Sequence, residues 1–269
     1  MPAPVSPRQL VAAALLLCAC RPPPVARPYP PPDAAELLAR LDHQASVPGV
    51  LRSDAKVDYR GDGGERVKVR MTLVSRAPAA LRVEAQGPLG GSVASLATDG
   101  RDFQFLDVRG NHFLAGPASA CNISRLLRVE LRPADLVALL AGGAPRLAEV
   151  TSMTAGWDGA DGGREVLTLR GPAGEQEVVR FDGRERRWDV VQAELRGPDG
   201  AVLWRVEHGD FAEGPGGARQ PGRSDIVQPP RGADVRVRYK GRESAPELTD
   251  SAFRLDAPPG LPVEPATCN

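Results

Sequence analysis

Aromatic residues make up only 4% of the 269-residue chain, and there are three histidines, at 43, 112 and 208. So few aromatics argue against the stacking platforms that bind single-stranded nucleic acid. The 34 basic and 34 acidic residues cancel, so there is no basic excess to suggest nucleic acid and no acidic tail to suggest a charge-driven partner. After residue 20 no apolar run approaches the ~20 residues of a membrane helix. The scattered His43, His112 and His208 form no H-x-x-x-H or Ser-His-Asp grouping and read as structural or surface side chains. Ser92, in Gly90-Gly91-Ser92-Val93-Ala94, lacks the final glycine of a nucleophile elbow. Asp158-Gly159-Ala160-Asp161-Gly162-Gly163 lacks the third acid and terminal Glu of a calcium loop and reads as a hairpin tip. These gaps leave no catalytic residue, no metal and no cofactor to expect. The run Arg184-Glu185-Arg186-Arg187 reads as a solvated strand end, with a lipid headgroup site as the alternative.

The N-terminus carries the clearest signal. One basic residue, Arg8, precedes an apolar run at 10–17, too short to span a bilayer and suited to a secretory signal. The run ends in Leu17-Cys18-Ala19-Cys20, which matches the bacterial lipobox. Such signals resemble those of lipoproteins, in which the cysteine thiol receives a diacylglycerol and becomes the first mature residue; that cysteine is Cys20 here. The alternative is an ordinary signal peptide cleaved near Ala19. On the lipoprotein reading, residues 1–19 are signal and residues 20–32 a proline-rich tether. In the polyproline II form, at about 3.1 Å per residue, the tether reaches roughly 35 Å. Arginine rather than aspartate follows Cys20, which leans towards the outer membrane. Of the remaining cysteines, Cys121 and Cys268 either pair, in an oxidising periplasm, or stay as two free thiols.

Residues 33–269 read as one β-rich domain. Asp33 caps a first helix with an apolar stripe of Leu37, Leu38 and Leu41. Strands are expected at 51–60, 66–76, 81–86, 92–99, 102–108 and 112–114. Two short helices at 119–127 and 133–140 follow, the second opened by Pro133 and closed by Gly142-Gly143. Strands then return at 146–157, 164–170, 175–181, 187–196, 201–210, 224–228 and 234–240, with a final extended tail. Most strands alternate apolar and charged residues, so the sheet has one dry face that must be covered. Three apolar helices suffice to plug a strongly curved antiparallel sheet. The expected fold is therefore mainly β with short helices (α+β), an open half-barrel around an apolar cavity.

The stretch at 82–100 contains an oddity. The loop Gly87-Pro88-Leu89-Gly90-Gly91 is built from turn residues, yet its middle residue is a leucine. Leu89 either folds back on the sheet edge or points outward to something apolar, such as lipid.

The lipobox, the element order and this loop together resemble the LolB-like outer-membrane lipoproteins of the LolA/LolB carrier superfamily. Those proteins have an unclosed barrel with a helical lid and an Asn-Pro-Leu-Gly loop between two strands; here the loop is Gly87-Pro88-Leu89-Gly90. A second likeness runs from Asn122-Ile123-Ser124-Arg125-Leu126-Leu127 through Pro133 to Gly142. The departures are Gly87 in place of asparagine, Cys121 and Cys268, and the Gly/Pro-rich segment 213–234, which looks like an insertion. The resemblance implies a lipid-anchored protein on the periplasmic face of the outer membrane. It would bind lipoprotein acyl chains, receive them from a LolA-like periplasmic carrier and insert them. Pro88, Leu89 and Gly90 would form the membrane-insertion loop. The expected acyl lining is Val67, Val69, Met71, Leu81, Val83, Ile123, Leu126, Leu136 and Leu140. The alternative is an outer-membrane lipoprotein of the same fold serving as a structural or partner-binding module. An empty pocket favours carriage; a filled one favours the module.

Overall fold

The structure, a computed structural model, describes residues 24–46, 49–160 and 162–268. The expected signal peptide at residues 1–19 and the expected lipidation site Cys20 lie outside the described residues. Six strands come first after helix α1 (Ala34–Ala45): β1 (Val50–Arg60), β2 (Arg66–Arg76), β3 (Ala80–Gln86), β4 (Ser92–Thr98), β5 (Asp102–Asp107) and β6 (His112–Pro117). Helices α2 (Ala120–Leu127) and α3 (Pro133–Leu140) follow. The second run of strands is β7 (Ser152–Asp158), β8 (Arg164–Arg170), β9 (Gln176–Asp182), β10 (Asp189–Arg196), β11 (Val202–Gly209), β12 (Ala212–Glu213), β13 (Arg219–Gln220), β14 (Arg223–Gln228), β15 (Ala233–Ser244) and β16 (Val263–Pro265).

Fourteen strands form one curved sheet in the order β16-β6-β5-β4-β3-β2-β1-β15-β14-β11-β10-β9-β8-β7, and β12 pairs with β13 outside it. The first and last strands do not meet, so the barrel is not closed. Only β16 joins in parallel, beside β6. Alternation in the sequence sets which face is dry. Val57 pairs across with Val69 and with Val237, while Met71 pairs with Ala85 and Leu73 with Val83. These side chains point into the concave face, and α1, α2 and α3 pack over it.

The helices start where their caps dictate. The Asp33 carboxylate accepts from the Glu36 N–H at 2.8 Å, and Ser119 Oγ accepts from the Asn122 N–H at 3.2 Å. Pro133 opens α3, where its missing N–H costs nothing. Leu37 and Leu41, the i and i+4 face of α1, are fully buried.

Three expectations need correction. The strand expected from residue 146 begins at Ser152. The Arg146 N–H goes instead to the Asp135 carboxylate at 3.2 Å, its carbonyl accepts from Arg132 at 2.7 Å, and the Leu147 N–H goes to Glu177 at 2.8 Å. Side chains, not a ladder, satisfy this backbone. Segment 213–234, which looked like an insertion, is in part core sheet, because β14 lies between β11 and β15. Only the β12–β13 excursion stands outside.

The third correction concerns residues 24–32, which are not a free spacer. The Val25 N–H donates to the Gly159 carbonyl at 2.9 Å, and the Trp157 indole N–H donates to the Val25 carbonyl at 2.8 Å. Arg27 pairs with the buried Glu165 at 2.6 Å, and the Tyr29 ring packs against Trp157 and Trp188. Gly183 leaves room for that ring, since a Cβ there would sit 2.2 Å from the Tyr29 hydroxyl oxygen. Composition suggested polyproline II; the seat is made by aromatic and charged residues more than 120 positions away.

Candidate functional site

Strand register defines two rims. The β1–β2, β3–β4, β5–β6 and β14–β15 turns share one rim. The β7–β8 and β9–β10 turns, where the N-terminal arm is seated, lie at the other. Leu89 is on the first rim.

Beneath that rim lies an apolar cavity of about 240 Å³ between the sheet and the helices α2 and α3. Burial along β2 shows where it opens. Val67 is 39% exposed, Val69 half-buried, and Met71 and Leu73 are buried. The mouth is therefore at the Leu89 rim, and the floor lies deeper along the strands. Of the residues expected as lining, Val67, Val69, Met71, Leu81, Val83, Leu126, Leu136 and Leu140 line it. Ile123 does not; it is fully buried in the core beneath α2. Alternation alone could have found Tyr59, Ala85 and Val237, which also line the cavity. The sequence reading missed them.

The loop at 87–91 is a tight turn: the Gly90 N–H donates to the Gly87 carbonyl at 3.1 Å, and the Gly87 N–H to the Gly91 carbonyl at 3.0 Å. Gly90 and Gly91 take φ of 84° and 76°, a region that favours glycine. Gly87 lies against Val93, which lines the cavity; a Cβ on Gly87 would sit 2.9 Å from that side chain. The turn holds Leu89 clear of the sheet, at 102% relative exposure.

Two cations frame the mouth. Arg128, in the left-handed conformation that ends α2, lies 6.0 Å from the Tyr59 ring and 3.8 Å from the Glu65 carboxylate. Arg125, one turn earlier, reaches the Thr267 carbonyl at 2.8 Å. Both side chains line the apolar opening, and Arg128 brings the Glu65 carboxylate with it, so the opening has a polar edge.

The lid is fastened at several points. Cys121 of α2 and Cys268 form a disulfide with an S–S length of 2.02 Å. The α2–α3 link is held by reciprocal hydrogen bonds, Glu130 N–H to Gln228 Oε1 at 2.8 Å and Gln228 Nε2 to the Glu130 carbonyl at 3.1 Å. Below α3, His208 is buried. Its Nε2–H donates to the Gly143 carbonyl at 2.8 Å, and Nδ1 accepts from Ser224 Oγ at 2.8 Å. Burial pushes its pKa down to about 4. Burial pushes Glu177, beside the α3–β7 link, up to about 7, opposed by the Leu147 N–H and Arg146. Both groups tie the helices to the sheet and stand away from the cavity mouth.

The other sequence candidates are dispersed. His43 lies in the last turn of α1, and His112 pairs with Glu264 at 2.7 Å on the surface. Ser92 bonds Ser95 at 3.0 Å with no histidine beside it. Arg184 pairs with Asp182 at 2.5 Å, and Arg187 pairs with Glu185. Among the described residues no group of three or more His, Cys, Asp or Glu is placed to hold a metal ion, and no helix is long and apolar enough to cross a membrane.

No family model matches the chain, and no curated protein does. Solved structures do match. A DUF1329 family protein from Desulfovibrio piger is 13% identical with a TM-score of 0.60, covering 82% of this chain and 95% of that one. A LolA superfamily protein from Nitrosomonas europaea is 13% identical with a TM-score of 0.58, covering 83% and 98%. A putative outer membrane lipoprotein-sorting protein domain from Vibrio parahaemolyticus is 11% identical with a TM-score of 0.58, covering 81% and 94%. The chain has the LolA-like fold: mostly β, one large curved sheet not closed into a barrel and, among the described residues, three α-helices.

Proposed function

We propose that this protein is a non-enzymatic acyl-chain binder of the periplasm, anchored to the outer membrane through Cys20, that takes up the acyl chains of lipoproteins and helps insert them. The observation that carries the reading is the pairing of an apolar cavity with a fully exposed leucine at its mouth. An acyl chain leaving a protein for a bilayer must stay out of water, because each exposed methylene costs about 0.8 kcal/mol. A 16-carbon chain would forfeit about 12 kcal/mol. A mouth whose rim carries Pro88, Leu89 and Gly90 offers a continuous apolar path. The names of two neighbours, one of the LolA superfamily and one a putative lipoprotein-sorting domain, support the same direction. A LolA-like periplasmic carrier is the delivering partner this reading calls for.

A second reading rests on size. The cavity, about 240 Å³, is below the ~300–1,000 Å³ of ordinary ligand pockets. A whole lipoprotein anchor does not fit without movement of α2, and a partner-binding module of the same fold needs no such movement. Depletion of the protein followed by membrane fractionation of other lipoproteins separates the two. Carriage expects them to accumulate away from the outer membrane, and correct sorting overturns it. Leu89→Asp is expected to reproduce the depletion defect without lowering stability.

A further inference from the structure

The convex face of β15, β1 and β2, beside the Leu89 loop, carries an unusual charge pattern. Cross-strand register places Arg238 opposite Lys56, and Lys56 opposite Arg70. These three exposed cations form one row across three neighbouring strands, spaced about 4.8 Å apart. Like charges directly opposite destabilise a sheet. The next row reads Arg236, Asp58, Lys68, and the one nearest the rim Asp234, Arg60, Arg66. Asp58 is engaged by Arg66 at 2.7 Å, and Arg236 by Asp225. Among the described residues Lys56, Arg60, Arg70 and Arg238 make no ion pair. All of these row residues except Asp234 line an open groove of about 730 Å³ that ends on Gly87 and Pro88, at the root of the Leu89 loop.

We propose that this groove is a docking surface for anionic phospholipid, with the phosphate headgroups seated in the cationic rows and Leu89 entering the bilayer beside them. The inference deepens the proposed function by naming the membrane face and the lipid class. Three observations favour a bilayer over another polyanion. The cations lie in neighbouring rows on three adjacent strands, so several phosphates can be met at once. A fully exposed leucine adjoins them, and an apolar tip plus a polybasic patch is the two-signal arrangement of peripheral membrane binding. The groove holds no aromatic side chain on which a base could stack. The N-terminal arm is seated at the opposite rim and leaves the surface open.

The test uses the full chain carrying Cys20→Ala, so that no acyl anchor contributes, with cosedimentation on vesicles of phosphatidylcholine alone or mixed with phosphatidylglycerol. The protein is expected to bind the mixed vesicles, to bind neutral ones weakly, and to release as salt rises. Lys56→Gln/Arg70→Gln/Arg238→Gln is expected to lower partitioning on mixed vesicles roughly 100-fold, at about a kcal/mol per cation. Because the triple variant removes like-charge pairs, its unfolding midpoint should hold or rise, which separates lost binding from misfolding. Leu89→Ala is expected to weaken binding by roughly tenfold. Equal binding of the parent to neutral and mixed vesicles, or an unchanged triple variant, overturns the proposal. So does tighter capture of a duplex oligonucleotide than of mixed vesicles at the same salt. The triple variant should still bind an acyl probe, since none of its three side chains lines the cavity. A parent that binds vesicles but no acyl probe refutes carriage and leaves the surface standing.

Discussion

Ala85→Phe distinguishes a ligand cavity from a packing defect. Ala85 is buried in β3, faces Met71 across the ladder and lines the cavity. Space of about 240 Å³ takes about seven methylenes, whose burial at ~0.8 kcal/mol each contributes on the order of 6 kcal/mol. That corresponds to a dissociation constant in the tens of micromolar, roughly, for a medium-length chain. A phenyl ring at position 85 takes part of the same space. The variant should therefore lose binding of a fluorescent fatty acid, measured by displacement with dodecanoate. Its ligand-free form should gain about 2 kcal/mol, or a Tm higher by roughly 4–8 °C in calorimetry. Wild-type probe affinity in Ala85→Phe would refute the assignment of this cavity as the acyl site. So would a wild type that fails to bind dodecanoate at millimolar concentration.

Two buried titrations act in opposite directions on stability. The folded pKa of Glu177, about 7, lies above its ordinary value of 4.5, so its contribution is full below about 4.5 and is lost as pH rises through 7. The folded pKa of His208, about 4, lies below its ordinary 6.5, so its contribution is full above 6.5 and is lost as pH falls through 4. Between about 4.5 and 6.5 the two slopes oppose, and the wild-type urea midpoint should change little. Glu177→Gln should unmask a loss on the order of 3 kcal/mol on acidification from pH 7 to 4; a flat profile in that variant would count against the buried, neutral His208. The Cys121–Cys268 bond spans a sequence separation of 147, and loop closure on that scale is worth about 5 kcal/mol at most. Reduction should lower the urea midpoint and, by freeing α2, speed probe entry in stopped flow; unchanged entry would show that α2 is not the moving lid. Gly183→Ala removes the room for Tyr29, so limited proteolysis within residues 24–32 should accelerate while circular dichroism stays the same. Equal protection would show that the arm is held elsewhere.

Legibility in the sequence followed the range of the interactions. Local rules sufficed where the decisive contacts are local. Alternation in Val67-Lys68-Val69-Arg70-Met71 gives the dry face of β2, and the caps Asp33 and Ser119 and the opening Pro133 mark α1, α2 and α3. Turn composition isolated Leu89. What could not be read depends on register between distant strands or on buried polar partners. Lys56, Arg70 and Arg238 are unremarkable until the β15-β1-β2 pairing puts them in one row. Arg27 and Glu165 lie 138 positions apart, and Gln228 reaches Glu130 across 98. The Pro-rich stretch misled because proline constrains φ but says nothing about where Tyr29 and Arg27 find partners.

The seating of the arm bears directly on how an anchored chain would work. Were Cys20 lipidated, a seated arm would place Val25, the first residue bonded to the β7–β8 turn, five positions from the anchor, a reach of at most about 16 Å at 3.1 Å per residue. That short leash would hold the β7–β8 rim near the anchor. The cavity mouth and Leu89 lie at the other rim, from which the cationic rows run back along the strands, so the mouth would face away from the anchoring bilayer. Released, the whole stretch 21–32 spans roughly 37 Å, enough to let the domain turn its mouth towards that bilayer. The seat is built from interactions that can be exchanged. Tyr29, whose pKa burial raises to about 12, packs on two indoles, and Arg27 offsets part of the burial cost of Glu165. Removing the arm returns Glu165 to water, so release costs less than the loss of its contacts alone. The arm and the mouth therefore occupy opposite ends of one sheet, so in an anchored chain the position of the arm would decide which bilayer the mouth could reach.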